Sequence, residues 1–212
     1  MQDYSATLKR FMPEEAAPII SRWINDTGCL FKISKTRSTK LGDYRAPFRT
    51  AGHRISVNHD LNPYSFLITT IHEFAHLQTW QQHKHAVKPH GNEWKSNFQN
   101  LMNPFLGLQI FPAEIATAVA QYLANPAASS CTDLHLFRTL KKFDKHADQV
   151  LTVEMLPEKS HFKLQNGRVF QKQEKVRKRY KCVELSSNKI YLFHPIAEIY
   201  PIETTHQHEK TI

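Results

Sequence analysis

The run His72-Glu73-Phe74-Ala75-His76 restricts the fold of this chain more than any other feature of its sequence. Histidines four residues apart lie on one face of an α-helix, one turn from each other, so both imidazoles can reach one ion. Glu73 lies beside the first ligand, where it can accept a proton from water that the metal has acidified. The pattern therefore predicts a metallohydrolase helix with two zinc ligands and a catalytic base.

The flanking residues independently predict a helix at this position. Asn62 is a suitable N-cap, and Pro63 is well placed in a first helical turn. Four apolar residues recur at helical spacing after them and predict a buried stripe: Leu67, Ile71, Phe74 and Leu77. We expect this helix to continue to about Gln82.

A catalytic zinc ion takes three protein ligands and leaves one position open. The best candidate for the third ligand is His90, because Pro89 and Gly91 flank it just before a predicted helix and can set its direction. Three other residues remain alternatives: His83, His85 and Glu93. We expect the two alternative histidines to lie at the exposed end of the central helix or in the loop after it.

The remaining patterns predict an α+β fold. A helix is expected after Pro13, and short strands are expected at 29–33 and 53–57 with a loop between them. Further helices are expected near 92–102, 112–123 and 133–144, the last capped by Thr132 or Asp133. From residue 149 onward the sequence changes to short β-type runs, and Asn166-Gly167 predicts a hairpin between two of them.

Charge and cysteine content limit the class of protein. The formal net charge is +9, which favours a polyanionic partner. Cys29, Cys131 and Cys182 lie far apart and form no CxxC pair, which argues against a disulfide framework or a cysteine-built zinc site.

The N-terminus lacks the apolar run of a signal peptide, and no window is apolar enough for a membrane span. We expect a cytoplasmic protein, compatible with association with the nucleoid, and no membrane partner.

The motif and its neighbours resemble the SprT-like, or Spartan-type, metalloprotease family. Thirteen residues after the HExxH motif, the chain continues with His90-Gly91-x-x-Trp94. The upstream segments 36–42 (TRSTKLG) and 55–58 (ISVN) are similar to the family's loop and strand before the catalytic helix. The resemblance extends from about Leu8 to Met102.

This resemblance implies a zincin-like fold with a central HExxH helix, and a zinc endopeptidase that acts on DNA-bound or DNA-crosslinked proteins and is activated by DNA. It places one Zn²⁺ ion on His72, His76 and His90, with Glu73 as the general base. Many relatives carry a four-cysteine zinc ribbon after the protease domain, whereas here only Cys182 remains, so no second zinc is expected. We expect an SprT-like zincin domain at 1–146, a small basic β-rich module without a zinc ribbon at 147–204, and a frayed tail at 205–212.

Two basic segments are candidates for contact with DNA, in particular DNA of single-stranded character. One is the loop near the active site, with Arg37, Lys40 and Arg45. The other is a run in the C-terminal module, where basic residues can neutralise phosphates and a tyrosine can stack on an unpaired base: Lys175, Arg177, Lys178, Arg179 and Tyr180. The alternative for both segments is a solvated surface that aids solubility.

The sequence thus favours a DNA-activated zinc metalloprotease, whose role would be the repair of DNA–protein crosslinks. Two other functions stay open. One is a general zinc peptidase without a nucleic-acid role, and the other is a non-catalytic nucleic-acid-binding protein with a structural metal. The presence of Glu73 argues against the last function, because a structural site gains nothing from an unliganded glutamate beside a ligand.

Overall fold

The computed structural model describes residues 2–37, 40–127, 133–145 and 150–202. Two compact units divide the chain between residues 145 and 146, and each has its own hydrophobic core. Cys131, the alternative cap Thr132 and the predicted tail at 205–212 lie outside the described residues. Cys29 and Cys182 are buried free thiols.

The described residues of the first unit form six α-helices, several of which begin or end at local sequence signals. In chain order they are α1 Ser5–Leu8, α2 Ala17–Thr27, α3 Pro63–His83, α4 Asn92–Gly107, α5 Ala113–Leu123 and α6 Leu134–Lys141. The Asn62 side chain caps α3 by accepting a hydrogen bond from the Ser65 N–H (2.9 Å), and Asp133 caps α6 in the same way. Gly28 ends α2 with a φ of 61°, in the left-handed region that glycine adopts without a steric cost.

A three-stranded sheet lies between α2 and α3 in the chain. Its strands are β1 Leu30–Ser34, β2 Gly42–Arg45 and β3 Arg54–Asn58, in the order β1-β3-β2. β1 is parallel to β3, and β2 is antiparallel to it. The prediction of a plain loop between the first two expected strands was therefore wrong. Because β2 contains glycine, aspartate and arginine, its own composition does not favour a strand, and its pairing with β3 stabilises it.

The central helix α3 runs through the core of the first unit. Its buried residues lie on several faces rather than along one stripe, among them Phe66, Leu67, Ile68, Ile71, Phe74, Ala75 and Leu77. Trp23 of α2 contacts Phe74 edge-on, with the ring centroids 5.3 Å apart. Since α3 is packed on its sheet side and its α4 side, the polar residues that it carries are held in fixed positions.

The second unit is built from β-strands. Six strands form one antiparallel sheet in the order β4-β9-β5-β6-β7-β8. Their bounds are β4 Leu151–Thr152, β5 His161–Lys163, β6 Val169–Val176, β7 Arg179–Glu184, β8 Ile190–Phe193 and β9 Glu198–Pro201. Gly167, with a φ of 81°, forms part of the turn between β5 and β6. Phe162, Phe170 and Cys182 are fully buried in the core of this unit.

The chain is therefore a mixed helix-and-sheet protein, as the α+β prediction requires. Among the described residues, no helix has both the length and the apolar character needed to cross a membrane.

Candidate active site

Three imidazoles converge at the site that the sequence singled out. His72 and His76 lie one turn apart on α3, and His90 lies in the segment before α4. The Nε2 atom of His72 is 3.2 Å from that of His76 and 3.3 Å from that of His90. Within the described part of the chain, these three residues are the one group whose side chains can together hold a metal ion.

The spacing of these nitrogen atoms fits a single tetrahedral ion. Bonds of about 2.0–2.1 Å from a tetrahedral metal to imidazole nitrogens place the nitrogens about 3.3–3.4 Å apart. The observed separations of 3.2 and 3.3 Å agree with this value. The alternative ligands His83, His85 and Glu93 are not members of the cluster. The donor set of three imidazoles therefore suits an ion that prefers nitrogen ligands and keeps an open position.

Trp94 packs against two of the three histidines. Its ring is completely buried, and its centroid is 4.7 Å from the rings of both His72 and His90. Phe98, one turn further along α4, stacks on Trp94 with the ring centroids 5.3 Å apart and an interplanar angle of 8°, and its ring centroid is 6.1 Å from that of His72. The aromatic pair restricts how far the imidazoles can rotate, because any rotation must displace a packed ring.

Burial keeps the ligand histidines in the neutral form that binds a metal. It lowers the pKa of His72 to about 2, with a further contribution from the neighbouring His76 and His90. Burial, together with the charge of His90, also lowers the pKa of His76 to about 3. The pKa of His90, which is less buried, is lowered for the same reason. At neutral pH the site therefore offers three unprotonated imidazoles.

Glu73 lies on the same helix and is 6% exposed. Burial is the main reason that its pKa rises to about 8, and the negative charge of Asp43 raises it further. The backbone N–H of Tyr44, which donates a hydrogen bond to the Glu73 carboxylate, lowers this pKa in part, as do the charges of Arg37 and Lys40. A carboxylate with a pKa near neutrality is suited to accept a proton and to return it.

Strand β2 places two residues against this carboxylate and its neighbours. Gly42 passes directly over Glu73, and Tyr44 stacks parallel to His76 with the ring centroids 6.3 Å apart. The Tyr44 hydroxyl is 2.8 Å from Nδ1 of His53. Burial, followed by the nearby Cys29, raises the pKa of Tyr44 above its usual range, so the hydroxyl stays protonated. The position of Gly42 against Glu73 could not be predicted from the sequence, because a glycine beside an acidic residue indicates a turn as readily as an edge strand.

The site opens into a cleft of about 740 Å³. One wall is β2, the floor is α3 with the histidines and Glu73, and the other wall is the segment 84–90. Three cationic or titratable residues of that segment line the cleft: Lys84, His85 and Lys88. The Lys84 ammonium lies 4.0 Å from the centre of the Trp80 ring.

Of the three basic residues predicted beside the active site, Lys40 lines the cleft, and all three have partners within the first unit. The Arg37 guanidinium donates hydrogen bonds to the side chains of Asn58 (2.8 Å) and Ser56 (3.0 Å). Lys40 and Arg45 both form ion pairs with Asp43, at 2.7 and 2.9 Å. Although burial opposes it, these two partners hold the pKa of Asp43 below its usual range. These cations thus fix the segment around β2 and still present charge beside the cleft.

The other predicted nucleic-acid residues lie in the second unit, at the hairpin between β6 and β7. Lys175, Arg177, Lys178 and Arg179 are exposed. Tyr180 is half-buried against the core of this unit, and its ring centre is 4.1 Å from the ammonium of the buried Lys172. One face of the Tyr180 ring is therefore already covered. The exposed cations form a basic hairpin tip.

Comparisons with known proteins agree with this geometry. The sequence model of the SprT-like family matches residues 14–116, which include all three histidines, Glu73 and the whole of β2. Comparison with curated proteins and with solved structures gave no significant match.

Proposed function

Since residues 14–116 belong to the SprT-like family, we propose that the protein is a zinc-dependent endopeptidase with a zincin-like catalytic domain. His72, His76 and His90 would hold the ion, and Glu73 would be the general base. The observation that carries this proposal is the convergence of three neutral imidazoles beside a buried carboxylate on the floor of an open cleft. Imidazole ligands make zinc the expected metal.

Bound zinc would supply Lewis acidity, which polarises a peptide carbonyl and makes water more acidic. Glu73 accepts a proton from the attacking water at a carboxylate oxygen, and it then gives the proton to the leaving amine. The hydrogen bond from the Tyr44 N–H orients the carboxylate during both transfers. Because Glu73 is almost completely buried, little solvent competes for the proton.

The substrate is expected to bind along β2. This strand is at the edge of its sheet, and its residues Gly42, Asp43 and Tyr44 line the cleft. An edge strand presents unpaired backbone N–H and C=O groups to which an extended peptide can add as a further strand. This mode of binding recognises the backbone of the peptide and is therefore compatible with many protein sequences. It supports an endopeptidase rather than an enzyme for one small substrate.

We further propose that DNA activates the enzyme and that its substrates are proteins bound or crosslinked to DNA. The net charge of +9 supports this proposal, because it favours a polyanionic partner. Exposed cations in both units also support it: Arg45 near the cleft, and Lys175, Arg177, Lys178 and Arg179 at the hairpin tip of the second unit. DNA with single-stranded character is the expected activator, as the resemblance to the family implies.

Cleavage of a basic DNA-binding protein by the purified chain, with and without single-stranded DNA, tests this function. The proposal expects slow cleavage without DNA that single-stranded DNA accelerates strongly, and cleavage in both cases should stop with a chelator and resume when zinc is added back. Zinc-dependent cleavage at the same rate without DNA would instead support a general peptidase. Absence of cleavage by zinc-loaded protein under every condition would contradict the enzymatic proposal and favour a binding protein with a structural metal.

A further inference from the structure

The face of the three-stranded sheet that points away from the core is basic. Side chains alternate along a strand, and Phe31, Ile55 and Tyr44 face the core of the first unit, so their neighbours face the other way. The strand register places these neighbours in two rows across the sheet, the first Leu30, Arg54 and Arg45 and the second Lys32, Ser56 and Asp43. The Arg37 guanidinium, bonded to Ser56, lies on this face as well.

The positive charge of this region is poorly neutralised. Residues 27–59 contain seven lysines and arginines but one acidic residue, Asp43. Asp43 is already paired with Lys40 and Arg45. In the part of the chain that the structure describes, no carboxylate forms an ion pair with Lys32, Arg49 or Arg54. This surface is therefore suited to an external ligand that brings negative charge and hydrogen-bond acceptors.

The connection between β2 and β3 carries an exposed aromatic ring close to the strand ends at which Arg45 and Arg54 lie. Phe48 and Ala51 exchange two backbone hydrogen bonds of 3.0 Å each, which fix the tip of the connection. The Phe48 ring is 65% exposed, and the Arg49 guanidinium lies 5.3 Å from its centre. A phenylalanine held in this way at a fixed tip contributes little to the core, and it offers a flat apolar face beside cations.

A ligand that uses both features must carry regularly spaced negative charges and planar groups that are free to stack. A single-stranded nucleic acid has both, whereas a duplex hides its bases in the stack and an acidic peptide need not present rings. We propose that this surface, formed by the outer sheet face and the Phe48 tip, binds single-stranded DNA. Phosphates would contact Lys32, Arg49 and Arg54, and an unpaired base would stack on Phe48.

This inference rests on the proposed DNA dependence and specifies where the DNA binds. β2 belongs to both regions, since its residues Gly42 and Tyr44 line the cleft and Arg45 lies on the outer face. A DNA strand on the outer face would therefore hold an attached protein beside the edge at which peptides bind. The proximity gives a physical reason for DNA to promote cleavage, because it raises the local concentration of the substrate.

The stacking interaction is tested with the full chain and a short fluorescent oligothymidylate, whose binding is followed by anisotropy. We expect Phe48→Ala to weaken binding about tenfold, from the typical contribution of one stacked base. Phe48→Trp should restore the affinity, and its added tryptophan fluorescence should be quenched by the oligonucleotide. Tyr200→Ala, which removes a ring that is 49% exposed in the second unit, is the matched control and should bind normally.

The phosphate contacts are tested by the salt dependence of the same binding. Loss of one contact to a single strand lowers the slope of log affinity against log salt by about 0.7. Lys32→Gln should show this decrease, whereas Arg22→Gln, which removes an exposed cation from α2, should keep the wild-type slope. Unfolding curves recorded for every variant exclude loss of structure as the cause.

The inference would be overturned if both Phe48→Ala and Lys32→Gln bound the oligonucleotide with the affinity and the salt slope of the wild type. This holds even if DNA activates cleavage through another surface. The inference would also be overturned if the wild-type chain bound no oligothymidylate, or if both variants weakened binding of a polyglutamate peptide instead. Cleavage of a DNA-free unfolded protein, measured in parallel with Glu73→Gln as the inactive reference, reports on the peptidase itself. Failure of the surface can thus be distinguished from failure of the proposed enzyme.

Discussion

Gly42 lies so close to Glu73 that a side chain at position 42 would meet the catalytic carboxylate. A Cβ atom built on Gly42 would be 2.9 Å from Cδ of Glu73 and nearer still to its Oε1, and 2.7 Å from Cγ2 of Thr69. Separations under 3.0 Å are essentially never adopted by real Cβ atoms. Cγ2 of Thr69 is attached directly to its Cβ in a packed helix, whereas the Glu73 carboxylate is at the end of a longer side chain, so Glu73 is the group that would move. The glycine therefore restricts where the Glu73 carboxylate can lie.

Replacement of Gly42 by alanine should impair catalysis without removing the metal. We expect kcat to fall about 100-fold, because a displacement of about 1 Å at a reacting group has an effect of this size. The KM for an unfolded protein substrate and the zinc content should stay near their wild-type values. Gly107→Ala is the control, since a Cβ at Gly107 meets no atom within 4 Å. Full activity of Gly42→Ala would show that the close approach has no catalytic role.

The assignment of His90 as the third ligand is tested by zinc affinity. A ligand that binds the folded state at about 1,000 times its Kd stabilises it by about 4 kcal/mol, so wild-type protein should melt at a higher temperature with zinc than with a chelator. His90→Ala should lose most of this increase. His85→Ala removes an exposed histidine from the cleft wall and should retain it. The assignment would be wrong if the two variants bound zinc with equal affinity.

The metal-free protein should lose stability as the pH falls below about 6.5. His72 has an ordinary pKa of 6.5 when unfolded and about 2 when folded, so the unfolded state takes up a proton in this range and the folded state does not. The free energy of unfolding therefore falls in acid. For a group with these two pKa values, the decrease between about pH 7.5 and about pH 5 is about 2 kcal/mol.

Denaturant unfolding of chelator-treated protein at these two pH values measures the effect. The variant His72→Asn lacks the titrating group, and its free energy of unfolding should fall by about 2 kcal/mol less than that of the wild type over the same interval. An identical pH dependence in the two proteins would mean that His72 is not held neutral by burial.

The second unit should be dispensable for the chemical step. Phe170 is completely buried and contacts Phe162 and Phe193 at centroid distances of 5.7 and 4.9 Å. Phe170→Ala should destabilise this small unit by about 3–5 kcal/mol, which is comparable with the stability of a domain of its size. An additional unfolding transition at lower temperature is therefore expected.

Cleavage of a DNA-free unfolded protein should persist in Phe170→Ala, because every residue of the candidate active site lies in the first unit. Val176→Ala, at a position that is 42% exposed, should leave both the unfolding profile and the cleavage rate unchanged. Loss of cleavage in Phe170→Ala with the zinc content preserved would show that the second unit takes part in catalysis.

Local signals predicted the positions of α2 to α6, but they did not predict α1, and α4 continues beyond the expected end at Met102 to Gly107. Asn62 and Pro63 begin α3 as expected, and the helix ends at His83, one residue beyond the expected Gln82. The ends of α2 and α5 also follow their glycine and proline signals. Capping depends on groups within a few residues of each other, and for this reason a single sequence contains the information.

Features that depend on residues far apart in the sequence could not be predicted from local signals. Strand β2 exists because of its pairing with β3, and its own residues do not indicate it. The sequence likewise left four candidates for the third ligand, and the convergence of the three nitrogen atoms distinguishes His90 from the others. Arg37 was predicted as a nucleic-acid contact, but its hydrogen bonds to Ser56 and Asn58 became evident only from the fold.

The proposal that Glu73 is the general base of a zinc endopeptidase is tested by comparing wild type with Glu73→Gln. Both proteins are loaded with zinc, and the bound metal is quantified in the same preparations. Glutamine keeps the shape of the side chain but cannot act as a base. We expect one zinc per chain in both proteins and a cleavage rate about 1,000-fold lower in Glu73→Gln, within the usual contribution of general acid–base catalysis. Equal cleavage rates at equal zinc content would show that Glu73 is not the general base.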